Sequence, residues 1–344
     1  MRLALQPRDW IALTLTGEAV TDGSHAAATL AFDLRARRWD TRILEPLDLE
    51  ARLFPRVMAS SAVVGTLRTG IASRVGLPAS TPVVLGGADS QACALGAGVI
   101  AAGPVSEMAG SSTCLNEAVA HPLDVLEVTH YPHVVGDGYT TETGINTSGT
   151  AIGWVADLLF GGRNGKARPA DFERLDREAA AVPAGVGGVL FIPALADGER
   201  DDADLRAAFT GLSLRTDRST LARAAFEGVA LTIRAQLLLL EQGGAPATEL
   251  RVSGGDARLA TWNQIKADVT GLPVATVPGD AAVTGVAMVA GLGIGIYGST
   301  EDAIRRCVRP DPPIEPDPAL AATYADAFDR FRQLVASRTV RRAG

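Results

Sequence analysis

The chain has 344 residues with 32 basic and 39 acidic side chains, a formal charge of −7, and is 47% apolar and 5% aromatic. That length holds two domains or one large one. The apolar share excludes wholesale disorder, and the acidic balance argues against electrostatically driven nucleic-acid binding. Only Lys166 and Lys266 among the basic residues are lysine, which reads as genomic base composition. Cys93, Cys114 and Cys307 are odd in number and lack CxxC spacing. Neither a disulfide framework nor a zinc cluster is expected, and a reducing cytoplasm fits. Met1 to Pro7 is too short an apolar run for a signal peptide. The stretch from Ala281 to Tyr297 is broken by Thr284, Gly285, Gly291, Gly293 and Gly295 and falls short of the roughly 20 apolar residues of a membrane span. A buried, glycine-rich helix is expected there.

The first 80 residues read as helix, loop and helix. Thr66 to Val75 is a short helix closed by Gly76, with Pro78 beyond it. Pro82 to Gly87 reads as a buried strand ending in glycines, and Asp89 to Ile100 as a helix of small residues stopped around Gly103-Pro104. Val105 to Ala109 and Thr113 to Ala118 read as strands joined by Gly110-Ser111-Ser112, with Tyr139 to Glu142 a third. Asn146 to Phe160 is helical, and Gly161 to Val182 a polar connection with some helix. Val189 to Ile192 follows as a buried strand. Ser219 to Leu240 is the most regular helix, keeping Leu221, Phe226, Val229, Ile233, Leu237 and Leu240 at helical spacing. Strand Leu250 to Ser253, helix Leu259 to Val269, strand Val274 to Val277 and helix Val283 to Ile296 come next. A Pro-rich loop then leads into an amphipathic helix bearing Tyr324, Phe328, Phe331 and Leu334. Arg338 to Arg342 reads as a short, solvated basic tail. The order β-β-β-α-β-α-β-α predicts a mixed sheet flanked by helices in an α/β fold, an order shared by ribonuclease-H-like cores and actin-like ATPases.

Two signals are set aside. Gly293-Ile294-Gly295-Ile296-Tyr297-Gly298 matches GxGxxG, but a dinucleotide fingerprint follows a strand and opens a helix. These glycines sit inside and at the end of an apolar helix, where close packing explains them. His130-Tyr131-Pro132-His133 is read as a loop, since proline breaks any helical metal-ligand geometry and no metal ligands are assigned.

Three strand-to-turn junctions carry the chemistry: Gly86-Gly87-Ala88-Asp89-Ser90-Gln91, Gly110-Ser111-Ser112-Thr113 and Ser253-Gly254-Gly255-Asp256. Small residues let a phosphate or ribose approach backbone N–H groups, and a following helix N-terminus favours an anion. Three such turns on an actin-like element order point to a nucleotide. Asp89 stands directly after a strand and a glycine pair. It reads as a helix N-cap, and equally as a general base that accepts a hydroxyl proton during phosphoryl transfer.

On these residues the chain resembles the FGGY family of carbohydrate kinases, most closely its xylulokinase-like members. Leu15-Thr16-Gly17-Glu18, Thr21-Asp22 and Ala27 to Trp39 resemble the late part of the family's N-terminal domain, and Pro82 to Gly98 the segment with its catalytic aspartate. Phe209-Thr210-Gly211-Leu212 through Leu221, Ala224, Phe226 and Glu227 follows a C-terminal motif, departing from it at Thr220. Ser253-Gly254-Gly255 through Trp262, Gln264, Ala267-Asp268 and Gly271-Leu272-Pro273-Val274 follows the adenosine-binding strand and helix. Gly198-Glu199-Arg200 is also typical of the family.

The resemblance implies a ribonuclease-H-like, actin-like ATPase fold: a complete C-terminal domain and part of an N-terminal one. Residues 1–103 would belong to the sugar-binding domain, 104–298 to the ATP-binding domain, and 299–344 to a C-terminal loop, helix and tail. It implies ATP-dependent phosphorylation of a sugar or polyol, a pentulose such as xylulose favoured. Asp89 would be the base and Ser90 would lie beside the substrate, where many relatives carry Gln. Gly110, Ser111, Thr113, Gly149, Gly254, Gly255 and Asp256 would line ATP, with Mg²⁺ accompanying it. The family's leading phosphate hairpin has no counterpart here: no DxGT-like stretch lies near the N-terminus. That departure predicts exposed sheet edge and apolar helix faces, and a homodimer or a complementing N-terminal segment as partner. It leaves a second expectation open, a non-catalytic remnant that binds nucleotide or a partner. No nucleic-acid or membrane partner is expected.

Overall fold

The computed structural model describes residues 3–161, 168–196, 198–200 and 202–339. The chain begins α1 (Pro7–Thr16), β1 (Val20–Asp22), α2 (Gly23–Ala27), β2 (Phe32–Asp33), β3 (Arg38–Trp39) and α3 (Thr41–Leu44). It continues β4 (Arg56–Met58), β5 (Val63–Thr66), α4 (Thr69–Val75), β6 (Pro82–Val84) and α5 (Asp89–Gly96). Helix–loop–helix is therefore wrong for residues 1–80. β1 pairs parallel with β4, β2 antiparallel with β3, and β5 antiparallel with β6. Strands of two to four residues are too short to print a period-2 pattern on the sequence. The helix before Gly76 starts at Thr69 rather than Thr66, and Gly76 closes it in the left-handed region.

The larger body follows as β7 (Pro104–Ala109), β8 (Thr113–Val119), β9 (Thr129–Pro132), β10 (Tyr139–Ile145), α6 (Gly149–Phe160) and α7 (Pro169–Ala180). Next come β11 (Leu190–Ile192), β12 (Ala208–Thr210), α8 (Arg218–Gln242), β13 (Glu249–Gly254), α9 (Ala260–Thr270) and β14 (Val274–Thr276). The chain closes with α10 (Ala281–Gly293), α11 (Thr300–Cys307) and α12 (Ala321–Thr339). Six strands form one mixed sheet in the order β14-β13-β7-β8-β10-β9, with β13 parallel to β7 and β14 and the remaining pairs antiparallel. The expected strand around Leu190 does not join it. β11 pairs with β12 instead, and Phe191 stacks on Phe209 at 4.3 Å.

His130 lies on an edge strand rather than in a loop, where Pro132 sacrifices no outer ladder bond. Its Nε2 accepts from the Leu123 amide, and the buried His133 ring faces the Val99 and Val135 carbonyl oxygens. α10 ends at Gly293, which leaves Gly295 and Gly298 beyond the helix. Residues 162–167 of the polar connection and 340–344 of the basic tail lie outside the described residues.

The main core lies where α6, α8, α9 and α12 cover one face of the sheet; Phe226 stacks on Trp262 at 4.8 Å within it. The 25-residue α8 is started by Asp217, whose carboxylate accepts from the Thr220 amide at 2.8 Å. α5 and α10 cover the other face, and they touch backbone to backbone. A Cβ on Gly96 would stand 1.8 Å from the Ala281 carbonyl oxygen, and one on Gly285 1.8 Å from that of Ala92. Trp10, Ile11, Val283 and Val286 on α1 and α10 are exposed apolar side chains. Among the described residues no helix is long and apolar enough to cross a membrane.

Candidate active site

The first turn hangs from β6. Gly86, at φ +77°, donates its N–H to Ser60 O, and Gly87 passes so close to Val134 that a Cβ would meet it at 2.4 Å. α5 then begins, capped by Ala88 rather than by Asp89. Asp89 is the first helical residue, exposed, and its Oδ1 accepts from the Ser90 amide at 2.9 Å. The Ala88 amide donates to Ser24 Oγ, and Ser24 Oγ donates to Asp22 Oδ2 at 2.6 Å, tying the turn to β1.

Asp22 is a fully buried hub. Arg8 at 2.5 Å, His25 Nδ1 at 2.8 Å, the Ser24 amide and Ser60 Oγ also reach its carboxylate. Burial alone would raise its pKa; the hydrogen bond from His25, with Arg8 and Ser24, outweighs burial and holds it at about 2, below the ordinary 3.8. A depressed folded pKa gives stability that is present above 3.8 and lost as pH falls towards 2, about 2 kcal/mol by linkage. Urea unfolding between pH 5 and roughly pH 2 is expected to show that loss, and Asp22→Asn to flatten it. An unchanged pH dependence in the variant would contradict this.

The second turn, Gly110-Ser111-Ser112, joins β7 to β8 and docks on the start of α6. Gly149 N donates to Gly110 O at 3.1 Å, and the Ser148 and Thr150 amides donate to Ser111 O. A Cβ on Gly149 would stand 2.4 Å from Gly110 O, so only glycine allows this approach. In the third turn Gly254 leaves β13 at φ +96°, its absent Cβ 2.1 Å from Ala109 O. A 3₁₀ turn, Gly255–Arg258, separates it from α9, so no α-helix N-terminus opens directly on this junction.

These turns bound three cavities. The first, about 540 Å³, has Arg8, His25, Gly87, Asp89 and Val283 among its walls. The second, about 790 Å³, is walled by Asp89, Gly254, Gly255, Arg258, Asp280 and Asp311. The third, about 540 Å³, has Gly110, Ser111, Gly149, Gly255 and Asp256 on one side and Trp154, Pro169, Phe172 and Leu259 on the other. Asp89 and Ala282 border both of the first two, and of the pair only Asp89 can accept a proton. Most residues expected at the nucleotide are thus gathered around the second and third cavities. Ser90 and Thr113 border none of the three. Ser90 is buried and its Oγ donates to Glu142 Oε2 at 2.7 Å. Thr113 is fully buried, and its Oγ1 has no hydrogen-bond partner.

The FGGY family of carbohydrate kinases matches the chain with both of its domains, the C-terminal domain over residues 106–294 and the N-terminal domain over residues 1–96. The chain belongs to the FGGY family of carbohydrate kinases. It is similar to the autoinducer-2 kinase of Yersinia pestis (strain Pestoides F), 33% identical over 88% of this chain and 59% of that protein. The chain therefore spans about three fifths of the length of the curated relatives it matches. Its fold superimposes on a xyloylose kinase from Brucella ovis with a TM-score of 0.88 and 30% identity, over 98% of this chain and 69% of that one. A xylulose kinase from Rhodospirillum rubrum gives 0.86 and 31%, over 98% and 68%. The fold is the actin-like ATPase fold of FGGY sugar kinases.

The FGGY chain also holds site residues that sequence reasoning missed. Glu142, on β10, accepts from Ser90 and from Gln91 Nε2 at 3.3 Å and pairs with Arg200 at 3.3 Å. It fastens the first turn of α5 to the large sheet from 52 residues away. The only local signal was the Gly198-Glu199-Arg200 motif; Glu199 holds the Asn146 amide at 2.7 Å. Beside them burial pushes the Cys114 thiol up to about 11, so it stands as a neutral thiol next to Arg200.

Proposed function

We propose that the chain forms the catalytic core of a sugar kinase, transferring the γ-phosphoryl group of ATP to a hydroxyl of a sugar or polyol. Asp89 is the general base in this reading. The observation that carries it is the place of Asp89: exposed at the start of α5, bordering one cavity on the β1 side and another on the β13 side. A substrate hydroxyl in the first cavity and a phosphoryl group arriving from the second would meet at this carboxylate, which then takes the hydroxyl proton.

ATP fits the second and third cavities. The glycines at 149 and 254 bring backbone within the distance a Cβ would fill, and Trp154, Pro169 and Phe172 offer an apolar wall to a base. Among the described residues no group of three or more His, Cys, Asp or Glu side chains is arranged to hold a metal ion. Mg²⁺ enters as the companion of the triphosphate, whose oxygens and bound water are its usual ligands. Two domains divided near residue 103, closing over the substrates and excluding water, belong to the same reading. So do a cytoplasmic location and a second copy or added segment over the exposed side chains of α1 and α10.

A pentulose such as xylulose is the favoured acceptor, because two structural relatives at 30% and 31% identity are named for that sugar. Autoinducer-2 is the competing candidate through the relative at 33%. A second reading has the chain bind nucleotide or a partner without transferring phosphate. ADP release measured over pentuloses, polyols and autoinducer-2 separates them. Sugar-dependent release is expected, greatest with a pentulose. ATP binding without sugar-dependent release would replace the first reading by the second.

A further inference from the structure

Lys266 is the only lysine among the described residues, and it is fully buried. It sits on α9 with its Nζ 2.6 Å from Glu107 Oε1 of β7 and 3.4 Å from Asp256 Oδ2. Burial pushes the Glu107 carboxyl up and the Lys266 ammonium opposes that push. An ammonium is costly to bury, and replacing such a pair by apolar side chains is often neutral or stabilising. Core stability alone is thus a weak reason for a lysine here.

The second carboxylate gives it a different role. Asp256 Oδ2 is occupied twice, by Lys266 and by Trp262 Nε1 at 2.8 Å. The Trp262 ring is itself fixed by stacking on Phe226 and lies 4.7 Å from the lysine Nζ. Asn263 Nδ2 donates to the Asp256 carbonyl at 3.1 Å. Backbone and one carboxylate oxygen are therefore locked, while Oδ1 makes no hydrogen bond or ion pair among the described residues, and the residue borders the third cavity. That cavity has an apolar wall of Trp154, Phe172 and Leu259, and a wall of Gly110 and Ser111 backbone. Asp256 borders it along with both. A carboxylate oxygen repels phosphate but accepts two neighbouring hydroxyl protons well.

We infer that Lys266 is a positioning residue, holding the Asp256 carboxylate so that its free oxygen receives the vicinal diol of a nucleotide's ribose. The inference rests on the third cavity being the nucleotide site. Calorimetric titration of the full chain with ATP, 2′-deoxyATP and 3′-deoxyATP tests it without requiring phosphoryl transfer. Each deoxy analogue is expected to bind about tenfold more weakly, the scale of one charge-assisted hydrogen bond. Lys266→Met combined with Glu107→Leu leaves no lone buried charge, and is expected to bind ATP no better than its deoxy analogues. Lys266→Gln, which keeps a donor beside Glu107, and Asp256→Ala are expected to lose the same discrimination. Equal binding of all three nucleotides by the unmodified chain would overturn the inference alone. Discrimination surviving in both lysine variants would reduce Lys266 to a core residue. No ATP binding by the unmodified chain would overturn the nucleotide reading, and this inference with it.

Discussion

Gly285→Ala is expected to destabilise the chain by more than about 3 kcal/mol, or to prevent folding, although helix propensity alone favours alanine by roughly 1 kcal/mol. The sign is decided by contact. The added methyl would stand 1.8 Å from the Ala92 carbonyl oxygen, and the matching methyl on Gly96 would stand 1.8 Å from that of Ala281. Both obstacles are helix backbone, which cannot rotate aside as a side chain can, so α5 and α10 would have to separate. Separation moves the turn that carries Asp89 and opens the packing of Cys93, Ala94 and Ala281. Gly70→Ala on α4 is the control: nothing lies within 4 Å of its Cβ position, so it is expected to be neutral or to stabilise by roughly 0.5–1 kcal/mol. Urea unfolding of the two variants measures the contrast. A Gly285→Ala chain as stable as the parent would show that the helices do not meet at this point.

What the sequence disclosed followed from how locally each feature is written. Turns of Gly, Ser and Thr between apolar runs announced themselves at residues 86–89, 110–113 and 253–256. The structure assembles all three around neighbouring cavities. The long α8 was legible from its spacing because one face buries Phe226, Val229, Ile233, Leu237 and Leu240 against the core. Short strands were not, since β1 and β4 acquire their meaning only by pairing across more than 30 residues. β9 was hidden by Pro132, which an edge strand tolerates and a sequence pattern does not. Gly96 and Gly285 looked like ordinary small residues, because each is explained only by the other helix. Glu142 and Lys266 are likewise explained only at long range; their partners Ser90 and Glu107 lie 52 and 159 residues away. Lys266 was absorbed into a compositional bias until its burial set it apart.

Asp89→Asn is the second large effect, expected to lower kcat by about 10²–10⁴-fold, the usual contribution of a general base. Asparagine keeps the size of the side chain and an oxygen for the Ser90 amide, so the start of α5 should hold and the KM for ATP should change little. In the proposed reaction, what it cannot do is accept the proton released as the sugar oxygen attacks. The direct measurement uses ATP carrying ¹⁸O in its γ-phosphoryl group, with mass spectrometry of the acceptor sugar. The unmodified chain is expected to place the label in a sugar phosphate, and the Asp89→Asn chain to do so at least about a hundredfold more slowly. Labelled sugar phosphate formed at an undiminished rate by the variant would contradict the role of Asp89. Label recovered only as inorganic phosphate from the unmodified chain would contradict transfer to a sugar altogether.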